Sequence, residues 1–220
     1  MFPGRGGERW KAAVAAIYDI PRLQGEFEEI MARELSGDAA AIAEMQAFFG
    51  SEPGQRILKL EIDARYALLD EATEEAARVA WDKAVGARDP RVKLIRKLAE
   101  ANELIEMNVA GAMTGNLAFF QGMNESGTLG PAMNEQDIMA DVWGQEEQIR
   151  RDTEAWLYPF LLLAYTPLSD SEMEAYVAFS ETAAGQRLNA ALFAGFDVVF
   201  RGISHDLGRA AGLALQGSDI

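Results

Sequence analysis

Histidine occurs once in the chain, as His205, and cysteine not at all, so acid–base and nucleophilic chemistry would rest on few residues. His205 can pair only with its neighbour Asp206 or with a distant group, and no nucleophile motif accompanies it. A structural or surface histidine is the simpler reading. Carboxylates are plentiful, with Glu26 near Glu29, Asp137 near Asp141, and Glu146 beside Glu147. No Glu-x-x-His appears, although a ferritin-like di-metal site needs two such pairs. A hard cation can be held by carboxylates alone, but a solvated acidic face accounts for these residues. No catalytic set, metal or cofactor is therefore expected, and a hydrolase using carboxylates has only their number behind it. Gly4-Arg5-Gly6-Gly7 lacks the preceding strand and the Lys-Ser/Thr of a phosphate-binding loop.

Two other groups carry binding chemistry. Arg88, Arg91, Lys93, Arg96 and Lys97 crowd the start of a helix, where the macrodipole disfavours positive charge by some tenths of a kcal/mol each. They form a docking patch for an acidic partner or a phosphate, or they pair with the chain's own carboxylates; the acidity of the chain favours pairing. Asn102, Asn108 and Asn116 lie on or near a crowded helix with Gly111 and Gly115. If buried, they must be hydrogen-bonded. Asn108, Gly111, Gly115 and Asn116 then line a polar-lipped pocket for a small, largely apolar ligand, or the asparagines simply bond between helices.

The most distinctive pattern occurs twice. Phe48-Phe49-Gly50-Ser51-Glu52-Pro53-Gly54-Gln55-Arg56-Ile57 returns as Phe179-Ser180-Glu181-Thr182-Ala183-Ala184-Gly185-Gln186-Arg187-Leu188. In each copy an apolar helix ends at the aromatic, Ser51 or Thr182 caps the next helix, and that helix begins at once. Pro53 suits a first turn, whose N–H has no intrahelical partner. Glycine there costs up to ~1 kcal/mol against alanine, so Gly54 and Gly185 point to close approach of the preceding helix. A helix N-terminus with arginine nearby can hold an anion. The junction reading accounts for more, because Gln55 and Gln186 can reach carbonyls left free at the preceding helix end.

The elements that position these residues read as helices throughout. Trp10, Val14, Ile17 and Tyr18 share a face, and Pro21 opens a helix with Leu23, Phe27, Ile30 and Met31 inward. After Ser36-Gly37, Asp38 caps a short helix carrying Ile42, Met45, Phe48 and Phe49. The helix after the first box is expected to be long, with an apolar stripe of Ile57, Leu60, Ala64, Leu68 and Leu69 and a solvated face of Glu71, Glu74, Glu75 and Arg78. Asp89 and Pro90 start a helix expected to reach about Met123, with Met107 to Phe120 enclosed by other helices and Gly111 and Gly115 allowing one of them close. Gln121 to Asn134 reads as a loop. A helix from about Glu135 carries Ile138, Val142, Trp143, Ile149 and Trp156, with a kink expected at Pro159. Its last stretch, Trp156 to Tyr165, reads as core. Ser169-Asp170-Ser171-Glu172 is a capping box for a short helix with Met173, Tyr176, Val177 and Phe179. The last helix runs through Leu188, Leu192, Phe196, Val199, Ile203 and Leu207.

With 220 residues, 49% of them hydrophobic, the chain can bury a substantial core. Lys and Arg number 20 against 35 Asp and Glu, and a net charge of −15 repels nucleic acid and anionic lipid. Zero cysteines suits cytoplasm and periplasm alike. The start, MFPGRGGERW, has no apolar core of signal-peptide length, and no stretch approaches the ~18 apolar residues of a membrane span, so a soluble chain is expected.

The offset of 131 that relates the boxes also pairs Phe27 with Tyr158, Ile30 with Leu161, Met31 with Leu162, Asp38 with Ser169 and Ile42 with Met173. The expectation is a single all-α domain over 1–220, of seven or eight helices. Pseudo-repeat units of about 7–86 and 135–217 would be joined by helix 90–123 and loop 121–134. The capped short helix, aromatic pair, Ser-x-x-Gly-Gln and following helix resemble the bacterial domain of unknown function 2059. The likeness is clearest over Tyr165 to Phe196 and over Ala39 to Leu69. That family's box carries Ser-Pro before Gly-Gln. Ser51-Glu52-Pro53-Gly54-Gln55 comes near it, whereas Thr182-Ala183-Ala184 lacks the proline. The resemblance implies an exported, periplasmic or envelope-located helical protein of Gram-negative bacteria with no established activity. The function expected is non-catalytic work through protein contacts, and the alternative is binding of a small apolar ligand between helices.

Overall fold

A computed structural model describes residues 7–127 and 135–215. Gly4 to Gly6 and the 128–134 part of the expected loop lie outside these residues. Among the described residues the regular structure is entirely helical, in eleven segments. They are α1 (Glu8–Ile17), α2 (Ile20–Leu35), α3 (Ala39–Gly50), α4 (Glu52–Ala67), α5 (Glu71–Gly86) and α6 (Pro90–Ala101). The rest are α7 (Leu104–Glu125), α8 (Glu135–Gly144), α9 (Glu146–Tyr165), α10 (Asp170–Ser180) and α11 (Ala183–Leu215). No helix is long and apolar enough to cross a membrane among the described residues.

Eleven helices exceed the seven or eight expected because three long periodic stretches are each broken. After α4 the chain tightens, with Leu69 and Asp70 N–H groups bonding three residues back, and the Asp70 carboxylate accepts the Thr73 N–H to start α5. Leu69, expected in the apolar stripe, is 80% exposed at this break. Glu103, at φ 48°, separates α6 from α7 in the left-handed region that a side chain seldom adopts. Gln145 separates α8 from α9. Gln121 to Glu125, expected in a loop, close the last turn of α7.

The caps follow the sequence closely. Asp38, Ser51, Asp70, Asp89 and Ser169 each accept a first-turn N–H, and Ser169 with Glu172 forms the reciprocal capping box. Pro159 is buried within α9, which continues through it. Leu157, Phe160, Leu161, Ala164 and Tyr165 are core as expected, while Trp156 stays 43% exposed. Trp143 is 62% exposed.

Contacts gather the chain into two compact units. The first comprises 1–34, 109–149 and 191–220, and the second 35–108 and 150–190. In the first, Ile17, Leu23, Val199 and Ile203 form the core with Phe27 and Leu207 against them. Here α7 and α11 cross at glycines. A Cβ on Gly122 would lie 2.8 Å from the Arg209 nitrogen, and one on Gly208 would lie 2.8 Å from the Phe119 carbonyl carbon. Gly111, expected at a close crossing, has open space beside it, and Gly115 meets only the Ser204 hydroxyl. Ala110 and Ala112 are exposed, so Met107 to Phe120 is not enclosed on all sides.

In the second unit Ile57, Ile95, Leu98 and Met173 are fully buried and organise the main core with Leu157, Phe160 and Leu161. A smaller cluster of Ala41, Met45, Phe179 and Ala184 collects Phe48, Phe49, Tyr176 and Leu188. It lies where the two boxes meet.

Candidate functional site

Each box forms the same junction. The Ser51 hydroxyl donates to the Phe48 carbonyl at 2.6 Å and accepts the Gly54 N–H at 3.2 Å. The Thr182 hydroxyl donates to the Phe179 carbonyl at 2.9 Å and accepts the Gly185 N–H at 3.0 Å. Gln55 donates to the Phe49 carbonyl at 2.6 Å, and Gln186 to the Ser180 carbonyl at 2.7 Å and to that of Ala101. These are carbonyls that a helix end leaves without an intrahelical donor. A Cβ on Gly54 would stand 2.7 Å from Phe49 Cα, and one on Gly185 2.9 Å from Ser180 Cα. Backbone atoms block both positions, so the glycines answer close approach and the glutamines answer the orphaned carbonyls.

The arginines act at longer range, and reciprocally. Arg56 donates to the Pro167 carbonyl at 2.5 Å and to the Glu172 carboxylate at 2.8 Å, just ahead of and within the first turn of α10. Arg187 donates to the Ser36 carbonyl at 3.0 Å and to the Asp38 carboxylate at 3.2 Å, just ahead of α3. Ser36 and Pro167 are themselves 131 residues apart, as are the two arginines. Each box therefore straps the segment that leads into the other. Phe48 and Phe179 stack between the junctions with centroids 4.2 Å apart and planes 7° apart.

The basic cluster divides. Arg91 turns inward, donating to the Leu168 carbonyl at 2.6 Å and pairing with Asp170 at 3.0 Å, and Lys97 pairs with Glu181 at 3.1 Å. These two follow the self-pairing reading. Arg88, Lys93 and Arg96 have no carboxylate at ion-pair distance among the described residues, and Arg96 lies 5.9 Å over the Trp81 ring. With Val85, Asp89, Val92, Lys97 and Glu100 they line a cleft of ≈ 430 Å³ between α5 and α6. Arg88 sits at φ 55°, a left-handed conformation at the end of α5 where glycine is usual.

The chain matches no protein-family model, no curated protein and no solved structure.

The asparagine side chains are taken up by local and interhelical hydrogen bonds. Asn102 and Asn108 donate to the Leu98 and Leu104 carbonyls of their own turns, at 3.0 and 2.7 Å. Asn116 donates to Gln145 at 3.1 Å, as the alternative of simple interhelical bonding had it. Asn108, Gly111, Gly115 and Asn116 line neither the α5–α6 cleft nor the cleft around Arg65 and Trp156. His205 Nε2 lies 3.2 Å from Glu125, and its Nδ1 lies 3.6 Å from Asp206. No cluster of three potential metal ligands occurs among the described residues.

Sequence reasoning missed Glu61. Its carboxylate accepts the Tyr165 hydroxyl at 2.6 Å and the Tyr176 hydroxyl at 3.3 Å, tying α4 to α9 and α10. Burial raises its pKa above the ordinary carboxylate range, against the two hydroxyl bonds and the nearby Arg65, which lower it. Burial likewise pushes the Tyr165 hydroxyl well up. No local signal marks Glu61, because its partners are 104 and 115 residues away.

Proposed function

We propose that this is a non-catalytic helical protein of the bacterial envelope that works through protein contacts, seating an acidic segment of a partner in the α5–α6 cleft. One observation carries the reading. On a chain of net charge −15, Arg88, Lys93 and Arg96 share one cleft without a carboxylate partner, and one of them is held there by a backbone conformation that costs stability. Arginine beside an exposed cleft is also the residue type that docking surfaces favour. The envelope location rests on the resemblance of the duplicated box alone. We also propose that the offset of 131 reflects an internal duplication, which the matching junctions and reciprocal straps support.

Anisotropy with a fluorescent oligoglutamate peptide tests the docking reading. Affinity should weaken as salt rises and should drop when Arg88, Lys93, Arg96 and Lys97 are all replaced by glutamine. Peptide binding unaffected by those replacements would overturn the reading. Turnover in an esterase, phosphatase or glycosidase panel would overturn its non-catalytic part.

A further inference from the structure

A second cleft lies in the same unit, between α4, α5 and α9. It measures ≈ 290 Å³ and is lined by Leu68, Ala155, Trp156, Pro159 and Phe160, with Arg65, Arg78 and Glu74 also at its walls. The two guanidinium groups are in different states. Arg78 is occupied by Glu74 at 3.3 Å and Glu75 at 3.5 Å. Arg65 lies 4.9 Å over the Phe160 ring; the Glu61 carboxylate is near enough to feel its charge, but no carboxylate lies at ion-pair distance from it among the described residues. A guanidinium resting on an aromatic face keeps its in-plane N–H donors free for an acceptor.

Pro159, inside α9, also lines the cleft. Pro159 has no N–H, so the Ala155 carbonyl four residues earlier loses its usual helical donor. Trp156 belongs to an apolar run that is otherwise largely buried, yet the residue stays 43% exposed, and it lines the cleft. An apolar trough of this size with a single unclaimed fork of donors is the composition of a small-molecule site. The ligand class follows from the parts. The trough takes an aromatic or branched apolar body, and the planar fork takes a carboxylate in bidentate fashion.

We infer that the α4–α5–α9 cleft binds a small apolar carboxylic acid, with its carboxylate on Arg65 and its body between Trp156 and Phe160. This is independent of the α5–α6 docking cleft. It moves the small-ligand reading away from Asn108, Gly111, Gly115 and Asn116 to a site that no residue spacing announced.

Isothermal titration of the full chain with 4-phenylbutyrate and with 4-phenylbutan-1-ol tests the site. Saturable binding of the acid is expected, about tenfold or more tighter than the alcohol, because only the acid makes the charge-assisted pair. Arg65→Gln should bring the acid to the level of the alcohol. Ala155→Leu, on an exposed helical position, should block both by filling the cleft, and it decides the matter should Arg65→Gln fail to fold. The glutamine replacements at the α5–α6 cleft should leave acid binding unchanged. Equal affinity for acid and alcohol in the wild type, no saturable binding of the acid, or full binding in Ala155→Leu would each overturn the assignment.

Discussion

Phe48 and Phe179 occupy the same position in the two boxes and stack on each other, centroids 4.2 Å apart and planes 7° from parallel. Each is the aromatic at the end of a short helix, and each belongs to the cluster that also takes in Phe49 and Tyr176. The stack joins elements that the straps of Arg56 and Arg187 hold from outside, so the two residues should be energetically coupled. A double-mutant cycle with Phe48→Leu and Phe179→Leu should return a coupling of about 0.5–1.5 kcal/mol. Additive losses in urea unfolding would show that the stack contributes only its buried area.

At the junctions, Gly185→Val and Gly54→Val should each destabilise by about 1–3 kcal/mol or more, since the added atoms meet backbone and not a movable side chain. Arg56→Gln and Arg187→Gln should cost less, about 1 kcal/mol or below, because both arginines are partly exposed. Urea midpoints for the four variants check the order. An arginine variant weaker than its neighbouring glycine variant would mean that the straps, and not the helix approach, govern the junction.

The glycines of α7 and α11 give a separate contrast. Gly122→Ala should destabilise, because its Cβ would collide with the backbone of α11 around His205 and Arg209, whereas Gly111→Ala has open space and should gain up to about 1 kcal/mol of helix propensity. Thermal melts followed by circular dichroism separate the two. Equal behaviour would contradict the glycine crossing.

Arg88 should show a trade between stability and binding. Arg88→Gly relieves the left-handed conformation and should stabilise by about 1 kcal/mol, while weakening the oligoglutamate complex. A variant that is more stable and binds equally well would separate the strain from the docking role.

Glu61 supplies a pH signature. Its raised pKa means that the folded form holds this proton to higher pH than the unfolded chain does. Its contribution is fully present below the ordinary carboxylate range and is lost as pH rises through the raised value. Glu61→Gln keeps an acceptor for Tyr165 and Tyr176 but cannot ionise. Its stability relative to wild type should therefore climb between acid and neutral pH. A constant difference across that interval would rule out the linkage.

The caps and both boxes were legible in the sequence because their chemistry lies within a few residues: Asp38, Ser51, Asp89 and Ser169 each bond two or three positions on. The breaks after α4 and α6 were not legible. Neither has a proline, and Glu103 adopts a left-handed conformation with a side chain that gives no warning of it. Leu69 and Trp143 kept the helical period yet face outward, because periodicity shows only that residues share a face. The choice between Gly111 and Gly122 depended on where α11 crosses, and the Glu61 cluster and the Arg65 cleft depended on α9. All of these arise from packing between segments distant in the chain.

The straps also set a schedule for synthesis. Arg56 is held by groups 111 and 116 residues further along, and Arg187 by groups 149 and 151 residues back. A ribosome completes α3 and α4 long before their partners exist, and at usual elongation rates the wait is roughly 6–25 s. Throughout it the Phe48 and Phe49 face has no α10 to cover it. The nascent amino-terminal portion is thus the species most open to aggregation, and a chaperone that holds unfolded chains would have its longest window there.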